Sequence, residues 1–204
     1  MIHILDYGLG NIQAFKTMFK RLGVESKRAS SAEDLVGAEK LILPGVGAFD
    51  HAMELLDLSG MRCALEDLVI LKKIPILGVC VGMQMLAKGS DEGNRDGLGW
   101  IDGHVRNFSG NVYTSNLPLP HMGWNDVQPI MDSALFRGLE NGARFYFLHS
   151  YYFECADTKC SSARTEYGFQ FDCSVQNGNI FGVQFHPEKS HHWGATLLKN
   201  FAEL

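Results

Sequence analysis

The sequence predicts an α/β fold: a single domain over residues 1–204, with a largely parallel central sheet flanked by helices and extra antiparallel strands in the C-terminal half. Short apolar runs alternate with longer segments of helical period in the first hundred residues, which is typical of βαβ units. After Trp100 turn residues become denser, and runs such as Arg144 to Phe147 indicate antiparallel strands. With 204 residues and 46% hydrophobic content, the chain can bury one full core.

The individual elements follow from periodicity and from turn residues. Gly23 is the predicted stop of the first helix, and two prolines with several polar residues favour a loop between Ser109 and Pro120. Strands are predicted over residues 1–6, 41–43 and 76–79, and helices over residues 11–22, 49–58, 61–71 and directly after residue 80.

Charge and hydropathy exclude several classes of protein. The net charge is −5 and Lys and Arg are not clustered, which argues against a nucleic-acid surface. No basic region precedes the short apolar N-terminus, so a secretory signal is not expected. Lys72 and Lys73 interrupt the most hydrophobic region, and no apolar run reaches membrane-spanning length. A cytoplasmic protein that binds small molecules and protein partners is expected.

The cysteines and histidines suggest neither a metal site nor a disulfide framework. Five cysteines form an odd set without CxxC spacing. The four other than Cys80 are expected to fill space: Cys63, Cys155, Cys160 and Cys173. His191 and His192 are expected in the first turn of a helix rather than on a metal ion. No cofactor is predicted.

Cys80 lies in a pattern typical of a nucleophile elbow. It follows the apolar run 76–79, precedes a predicted helix, and has Gly78 and Gly82 on either side. Glycine is needed there because a Cβ would collide with the neighbouring strand and helix. A helix N-terminus also favours the thiolate. The sequence therefore predicts a nucleophile, although a buried core cysteine is the alternative.

A base for this nucleophile is predicted at His186. The residue follows the strand-like run 180–184, and in an extended chain His186 and Glu188 lie on the same side. Pro187 restricts the residue before it to an extended conformation. Glu188 can then hold the imidazole in one tautomer while the other ring nitrogen faces the thiol. The alternative is an ordinary surface histidine beside a solvated glutamate.

Two backbone groups are candidates for an oxyanion hole. The N–H of Val81 directly follows the nucleophile at the start of a helix. Val46 lies in a loop after a neighbouring strand, and Gly45 and Gly47 on its two sides let its peptide rotate. The same loop is also compatible with a simple tight turn from strand to helix.

Six motifs, in order along the chain, resemble those of class I (triad) glutamine amidotransferases, which have a flavodoxin-like fold. More narrowly, they are similar to the glutaminase subunits of imidazole glycerol phosphate synthases. The resemblance covers nearly the whole chain. The elbow departs slightly from the family's usual Gly-Ile-Cys-Leu-Gly, with valines at 79 and 81. The motifs are residues 6–11, 44–47, 78–84, 121–125, 149–151 and 185–190.

The resemblance implies a mechanism for hydrolysis of L-glutamine to glutamate and ammonia. Cys80 would attack the side-chain amide, the N–H groups of Val46 and Val81 would stabilise the oxyanion, and water would hydrolyse the thioester. His186, oriented by Glu188, would protonate the departing ammonia. The residues implied in glutamine binding are Gly47, Gln84, Glu92, His149, Ser150 and Tyr151, with Glu92 facing the substrate ammonium.

The resemblance also implies a partner. In the family, a separate (β/α)₈-barrel synthase subunit forms a heterodimer with the glutaminase and receives ammonia through an internal channel. It makes imidazole glycerol phosphate and aminoimidazole carboxamide ribotide in histidine biosynthesis. The positions matching partner contacts are Asn11, Met122, Trp124, Asn125, Tyr151 and Lys189. The flexible loop 45–47 suggests that the partner gates the oxyanion donor, so that the free subunit works slowly.

Three alternatives stay open. The same chemistry could feed a synthase that makes an amidino sugar for surface polysaccharide. A stand-alone cysteine hydrolase is a rival within the fold, although the motifs 121–125 and 149–151 weigh against it. A non-catalytic binding subunit is a rival of another class, which the intact residues Cys80, His186 and Glu188 disfavour.

Overall fold

The secondary structure follows the alternation of strands and helices expected from the sequence. The computed structural model describes residues 1–110, 112–130 and 132–204. The helices are α1 (Ile12–Arg21), α2 (Phe49–Leu58), α3 (Arg62–Glu66), α4 (Val81–Gln84) and α5 (His191–Ala202). The strands are β1 (Ile2–Leu5), β2 (Ser26–Ala29), β3 (Lys40–Gly45), β4 (Ile76–Cys80), β5 (Gly103–Asn107), β6 (His121–Asp126), β7 (Gln128–Pro129), β8 (Arg144–His149), β9 (Tyr151–Cys155), β10 (Ser161–Tyr167), β11 (Phe169–Asn177) and β12 (Ile180–Val183).

The central sheet is parallel in its first half, as predicted. Its order is β2-β1-β3-β4-β12, and every neighbouring pair in this part is parallel. The strands β1, β4 and β12 are buried along their whole length, because parallel strands are covered by helices on both faces. β4 and β12 therefore show no polar alternation, and in β1 only His3 interrupts the apolar residues. Since β3, β4 and β12 are neighbours, their carboxyl ends meet at one edge of the sheet.

The C-terminal half adds the antiparallel strands that the sequence predicts. The sheet continues as β12-β11-β10-β7, while β9 pairs with β11 and β5 pairs with β9. β6 and β8 form a separate two-stranded ribbon, in which His121 is opposite His149 and Met122 is opposite Leu148. Because side chains alternate along a strand, His121 and Met122 lie on opposite faces of this ribbon.

The helix α1 shows how local sequence sets its ends. The side chain of Asn11 accepts a hydrogen bond from the Ala14 N–H at 3.1 Å and caps the N-terminus. Phe15 and Phe19, four residues apart, are buried against the sheet. Gly23, with φ of 70°, follows the last turn. Among the described residues, no helix combines the length and the apolar character needed to span a bilayer.

The helix predicted over residues 61–71 is only partly α-helical. α3 ends at Glu66, and residues Asp67–Leu71 form a π turn, in which the Lys72 N–H bonds to the Asp67 carbonyl at 3.0 Å. The side-chain amide of Asn179 donates to the carbonyl of Val69 at 2.9 Å. A distant side chain therefore satisfies one of the carbonyls in the last turn, which have no partner inside a helix. The predicted loop over 109–120 includes residue 111, which lies outside the described residues.

The expectation that four cysteines only fill space was wrong for three of them. Cys155 and Cys160 form a disulfide between the end of β9 and the start of β10, and Cys63 is exposed. Of these four, only Cys173 is a buried free thiol in the core. The odd count argued against a framework of disulfides, but it does not exclude one local bridge across a turn.

Candidate active site

The candidate site lies where the carboxyl ends of three parallel strands meet. β4 ends at Cys80, β3 ends at Gly45 just before Val46, and His186 follows β12 by three residues. β4 lies between β3 and β12 in the sheet. The topology thus brings Cys80 between the predicted oxyanion loop and the predicted base, at the edge where α/β sheets commonly bind ligands.

Cys80 has the strained backbone of a nucleophile elbow, with φ of 56° and ψ of −113°. The flanking glycines are needed for close packing. A Cβ at Gly82 would lie 1.9 Å from the Leu43 carbonyl oxygen, and one at Gly78 would lie 2.5 Å from the Gly82 carbonyl oxygen. The thiol is buried, and its Sγ lies 3.9 Å from the Leu148 carbonyl oxygen.

A helix follows Cys80 directly, as the sequence predicts. α4 has only four residues. A helix dipole grows from many aligned peptides, so the dipole of a single turn is small. What remains is the group of backbone N–H donors at the turn, including that of Val81.

His186 and Glu188 form a buried pair. The His186 Nδ1 lies 2.9 Å from the Glu188 Oε1, and the two side chains are 4% and 3% exposed. Only His186 is extended, with φ of −102° and ψ of 93°, whereas Glu188 lies in a 3₁₀ turn over Pro187–Lys189. The turn, rather than a straight strand as predicted, folds the carboxylate back onto the ring.

The surroundings of His186 favour its protonated form. Burial by itself lowers the pKa of the imidazole, but hydrogen bonds and charge interactions with Cys80 and Glu188 outweigh burial and raise the pKa to about 10. The Cys80 side chain is therefore within interaction range of the ring. An imidazole that holds a proton beside a thiol is the arrangement that allows proton exchange between the two groups.

A cavity of about 310 Å³ opens beside Cys80 and brings the predicted residues together. Glu188 is not part of its wall and lies behind His186. Glu92 reaches the wall because its Oε2 accepts a hydrogen bond from the Phe49 N–H at 2.8 Å. The cavity is lined by Val46, Gly47, Cys80, Val81, Gln84, Glu92, Pro120, Leu148, His149, Ser150, Tyr151, His186 and Lys189.

Sequence reasoning missed three residues near Cys80. Pro120 and Leu148 line the cavity, and Gln184 is fully buried with its Nε2 3.8 Å from the Cys80 Sγ. Gln184 also accepts a hydrogen bond from the Gln84 Nε2 at 3.1 Å. Gln184 could have been found from the sequence, because it is the one polar side chain in the otherwise apolar run 180–185. Leu148 and Pro120 carry no comparable signal, because only the fold brings them to the site.

The positions predicted for partner contacts differ in their accessibility. Met122 and Trp124 are 61% and 40% exposed, on the outer face of the β6–β8 ribbon. The Trp124 ring stacks on that of His191, which begins α5 as predicted, with centroids 5.3 Å apart. Asn11 and Lys189 are exposed. Asn125 is instead turned inward, where its Nδ2 donates to the Glu166 carbonyl at 2.7 Å.

The fold is that of a class I glutamine amidotransferase. The family model described as "Glutamine amidotransferase class-I" matches residues 3–204, and the chain belongs to this family. Two curated relatives carry the name "Imidazole glycerol phosphate synthase subunit HisH". The one from Bdellovibrio bacteriovorus is 59% identical and the one from Leptospira borgpetersenii 52% identical, each over 204 residues and all of both chains.

Solved structures agree on the fold. A crystal structure of a glutamine amidotransferase aligns with a TM-score of 0.77 at 22% identity, covering 99% of this chain and 97% of the other. The structure of PurLQS from Thermotoga maritima aligns with a TM-score of 0.75 at 18% identity, with the same coverage. Among the described residues, no group of three or more His, Cys, Asp or Glu side chains could hold a metal ion.

Proposed function

We propose that the chain hydrolyses L-glutamine at Cys80 and delivers the ammonia to a synthase subunit. The observation that carries the proposal is the cavity in which Cys80 and His186 meet, with Glu188 on the far ring nitrogen of the base. Cys80 attacks the side-chain amide carbon and forms a tetrahedral oxyanion. His186 gives its proton to the departing ammonia, and water then hydrolyses the thioester.

The oxyanion is stabilised by backbone donors in this proposal. The Val81 N–H is fixed by the elbow, whereas Val46 belongs to the loop after β3 and is 40% exposed. Gly47, at φ of 85°, lets the chain turn directly after Val46. We therefore assign the fixed donor to Val81 and the adjustable donor to Val46.

Substrate binding is assigned to the remaining wall of the cavity. The Glu92 carboxylate uses Oε2 to accept the Phe49 N–H and offers Oε1 to the ammonium group of glutamine. Gly47, Gln84 and residues 149–151 also line the cavity. These residues come from three separate stretches of the chain, around residues 47, 84–92 and 149–151, which explains why the pocket needs the complete fold.

The partner is assigned from the surface next to Cys80 and from the relatives' name. The outer face of the β6–β8 ribbon exposes Met122 and Trp124 beside Leu148, whose carbonyl faces the Cys80 Sγ. Exposed aromatic and Met side chains are typical interface anchors. We propose a (β/α)₈-barrel synthase subunit here, which joins the ammonia to a phosphoribosyl intermediate in the cytoplasm and yields imidazole glycerol phosphate and aminoimidazole carboxamide ribotide.

The proposal is tested by glutamate release with and without the partner. The isolated chain is expected to hydrolyse glutamine about 100-fold more slowly than its complex with the synthase subunit and that subunit's ligand, since a missing oxyanion donor costs that order. Equal rates would contradict gating through Val46. An inactive complex would contradict the proposed function itself.

A Glu188→Gln variant tests the triad. The amide can still accept a hydrogen bond from the ring but lacks the charge that raises the pKa of His186. We expect kcat for glutamine to fall about 100-fold, a typical contribution of a positioned acid or base. Because the pKa of His186 drops, the alkaline limb of the pH–kcat profile moves to lower pH.

Glu203→Gln is the matched control for this substitution. Glu203 pairs with Lys199 at 3.8 Å at the end of α5, and its side chain is largely exposed. This variant is expected to keep the wild-type profile. A Glu188→Gln profile that overlays the wild type would show that the carboxylate has no role in the reaction.

A further inference from the structure

Two buried histidines beside the cavity form a continuous hydrogen-bonded chain. His121 on β6 and His149 on β8 are 3% and 6% exposed. The His121 Nδ1 lies 2.9 Å from the His149 Nε2, and the His149 Nδ1 lies 2.7 Å from the Tyr151 carbonyl oxygen. At the other end, the Asn125 Nδ2 lies 3.3 Å from the His121 Nε2.

The partners at the two ends assign the tautomer of each ring. A carbonyl oxygen only accepts, so the His149 Nδ1 carries the proton and its Nε2 accepts from the His121 Nδ1–H. The His121 Nε2 then accepts from the Asn125 amide, whose other hydrogen goes to the Glu166 carbonyl. Both imidazoles are therefore neutral with the proton on Nδ1, and the three hydrogen bonds that link Asn125, His121, His149 and the Tyr151 carbonyl all point towards the pocket.

The series of hydrogen bonds continues into the wall of the cavity. The Tyr151 carbonyl also accepts a hydrogen bond from the Gln84 Nε2 at 3.3 Å. Gln84 in turn donates to Gln184, whose Nε2 faces the Cys80 Sγ. Both ring nitrogens of His149 are therefore hydrogen-bonded, one to His121 and one to the Tyr151 carbonyl. The ring has no free nitrogen left to bind glutamine.

We infer that His121 is a positioning residue of the glutaminase site: its Nδ1–H fixes His149, which holds the Tyr151 carbonyl against Gln84 and so sets the wall that binds glutamine. The inference rests on the proposed function. The family resemblance implies that His149 lines the glutamine pocket, and here its ring acts on that pocket indirectly, through the Tyr151 carbonyl. Asn125 is the first donor in this series of hydrogen bonds, at the end farthest from the pocket.

The environment keeps the two rings neutral. Burial lowers the pKa of His121 to about 4, and burial together with the charges of His121 and His186 lowers that of His149 to about 3. Tyr167 and Phe147 stack on the two faces of the His121 ring, with centroids 4.1 and 4.8 Å away. A positive charge between these rings would lack an anionic partner, and the added hydrogen on the His121 Nε2 would prevent this atom from accepting the Asn125 amide hydrogen.

The test compares His121→Phe and His121→Asn in the complex. Phenylalanine keeps the stacked ring but removes the donor, whereas the asparagine amide nitrogen takes about the place of Nδ1 and restores a donor without the ring. We expect His121→Phe to raise KM for glutamine about tenfold, because a buried acceptor loses its partner, with kcat nearly unchanged. His121→Asn is expected to recover most of the wild-type KM.

The controls separate this inference from the proposed function. The wild-type complex must hydrolyse glutamine. If it does not, the proposed function is wrong, and the inference that rests on it fails with it. If wild type is active and His121→Phe keeps its KM, the inference is overturned. It is also overturned if both variants are impaired equally, since ring packing alone would then explain the effect. Synthesis from added ammonium salts should be the same in all three proteins.

Nitrogen-15 NMR of the histidine rings gives a second readout that does not depend on a folded variant. In the wild-type protein, both rings are expected to carry the proton on Nδ1 and none on Nε2, and to stay neutral at pH values below the ordinary histidine pKa of about 6.5. A proton on Nε2 of either ring, or titration near that ordinary pKa, would contradict the assigned chain.

Discussion

A Cys80→Ala variant is expected to lose glutamine hydrolysis by about 10⁴-fold or more, since removal of the nucleophile of a triad leaves only binding and oxyanion stabilisation. Without sulfur no thioester forms, so His186 has no leaving group to protonate. The measurement is glutamate release by the complex. Synthesis from added ammonium salts is expected to persist, because it uses only the partner's chemistry.

The substitution should leave the fold intact. Alanine has the same Cβ as cysteine, so the strained turn at residue 80 gains no new clash, and removal of one buried sulfur atom costs about 1 kcal/mol. Cys63→Ala is the matched control, because Cys63 is a free cysteine on the surface of α3 and should be silent. Retained hydrolysis in Cys80→Ala would show that Cys80 is not the nucleophile.

The parallel half of the fold was predictable because its signals are local. Strands such as β4 and β12 are buried on both faces, so their apolar runs stand out in the sequence. α2 was predicted with its observed bounds, and α1 within one residue at either end, because Asn11 and Gly23 are caps that the sequence displays.

For the C-terminal half, the sequence predicted antiparallel strands but not how they pair. Nothing in the sequence of β6 and β8 shows that they pair with each other outside the main sheet. The π turn after α3 has its Val69 carbonyl bonded to Asn179, which is more than one hundred residues away in the chain. The disulfide of Cys155 with Cys160 depends on how the turn after β9 is shaped. Such features are set by contacts between distant segments.

The candidate site was also predictable only in part. The motifs around Cys80, His186 and the loop after β3 predicted the residues that the fold brings to one cavity. The motifs did not predict the contacts that run between them. The hydrogen bond from His121 to His149 connects two motifs, and Gln184 contacts Cys80 in a third motif. A motif identifies a residue type, but it does not show which neighbour uses its hydrogen bonds.

The backbone contact between the elbow and β3 is the second feature with a large expected effect. Gly82 packs against the Leu43 carbonyl, and a Cβ at Gly45 would lie 2.4 Å from the Gly82 nitrogen. Both neighbours are backbone atoms of buried elements, so neither can move aside as a flexible side chain could. The two glycines therefore set the distance between Cys80 and the loop that carries Val46.

Gly82→Ala is expected to destabilise the protein by about 3 kcal/mol, the upper end for overpacking in a close-packed core. For a chain of this size the unfolding midpoint should fall by roughly 6–12 °C, measured by thermal denaturation. Gly89→Ala is the matched control, because its Cβ would make only an ordinary contact, 3.4 Å from the His104 ring. An unchanged midpoint in Gly82→Ala would mean that the elbow does not press on β3.

The catalytic consequence can be separated from the loss of stability. If the new methyl group pushes β3 away from the elbow, Val46 moves relative to Cys80 and the two oxyanion donors no longer converge. Glutamine hydrolysis should then fall about 100-fold, the cost of one oxyanion donor, even at temperatures where circular dichroism shows Gly82→Ala fully folded. Full activity in the folded variant would show that the spacing of β3 and the elbow does not control the oxyanion hole.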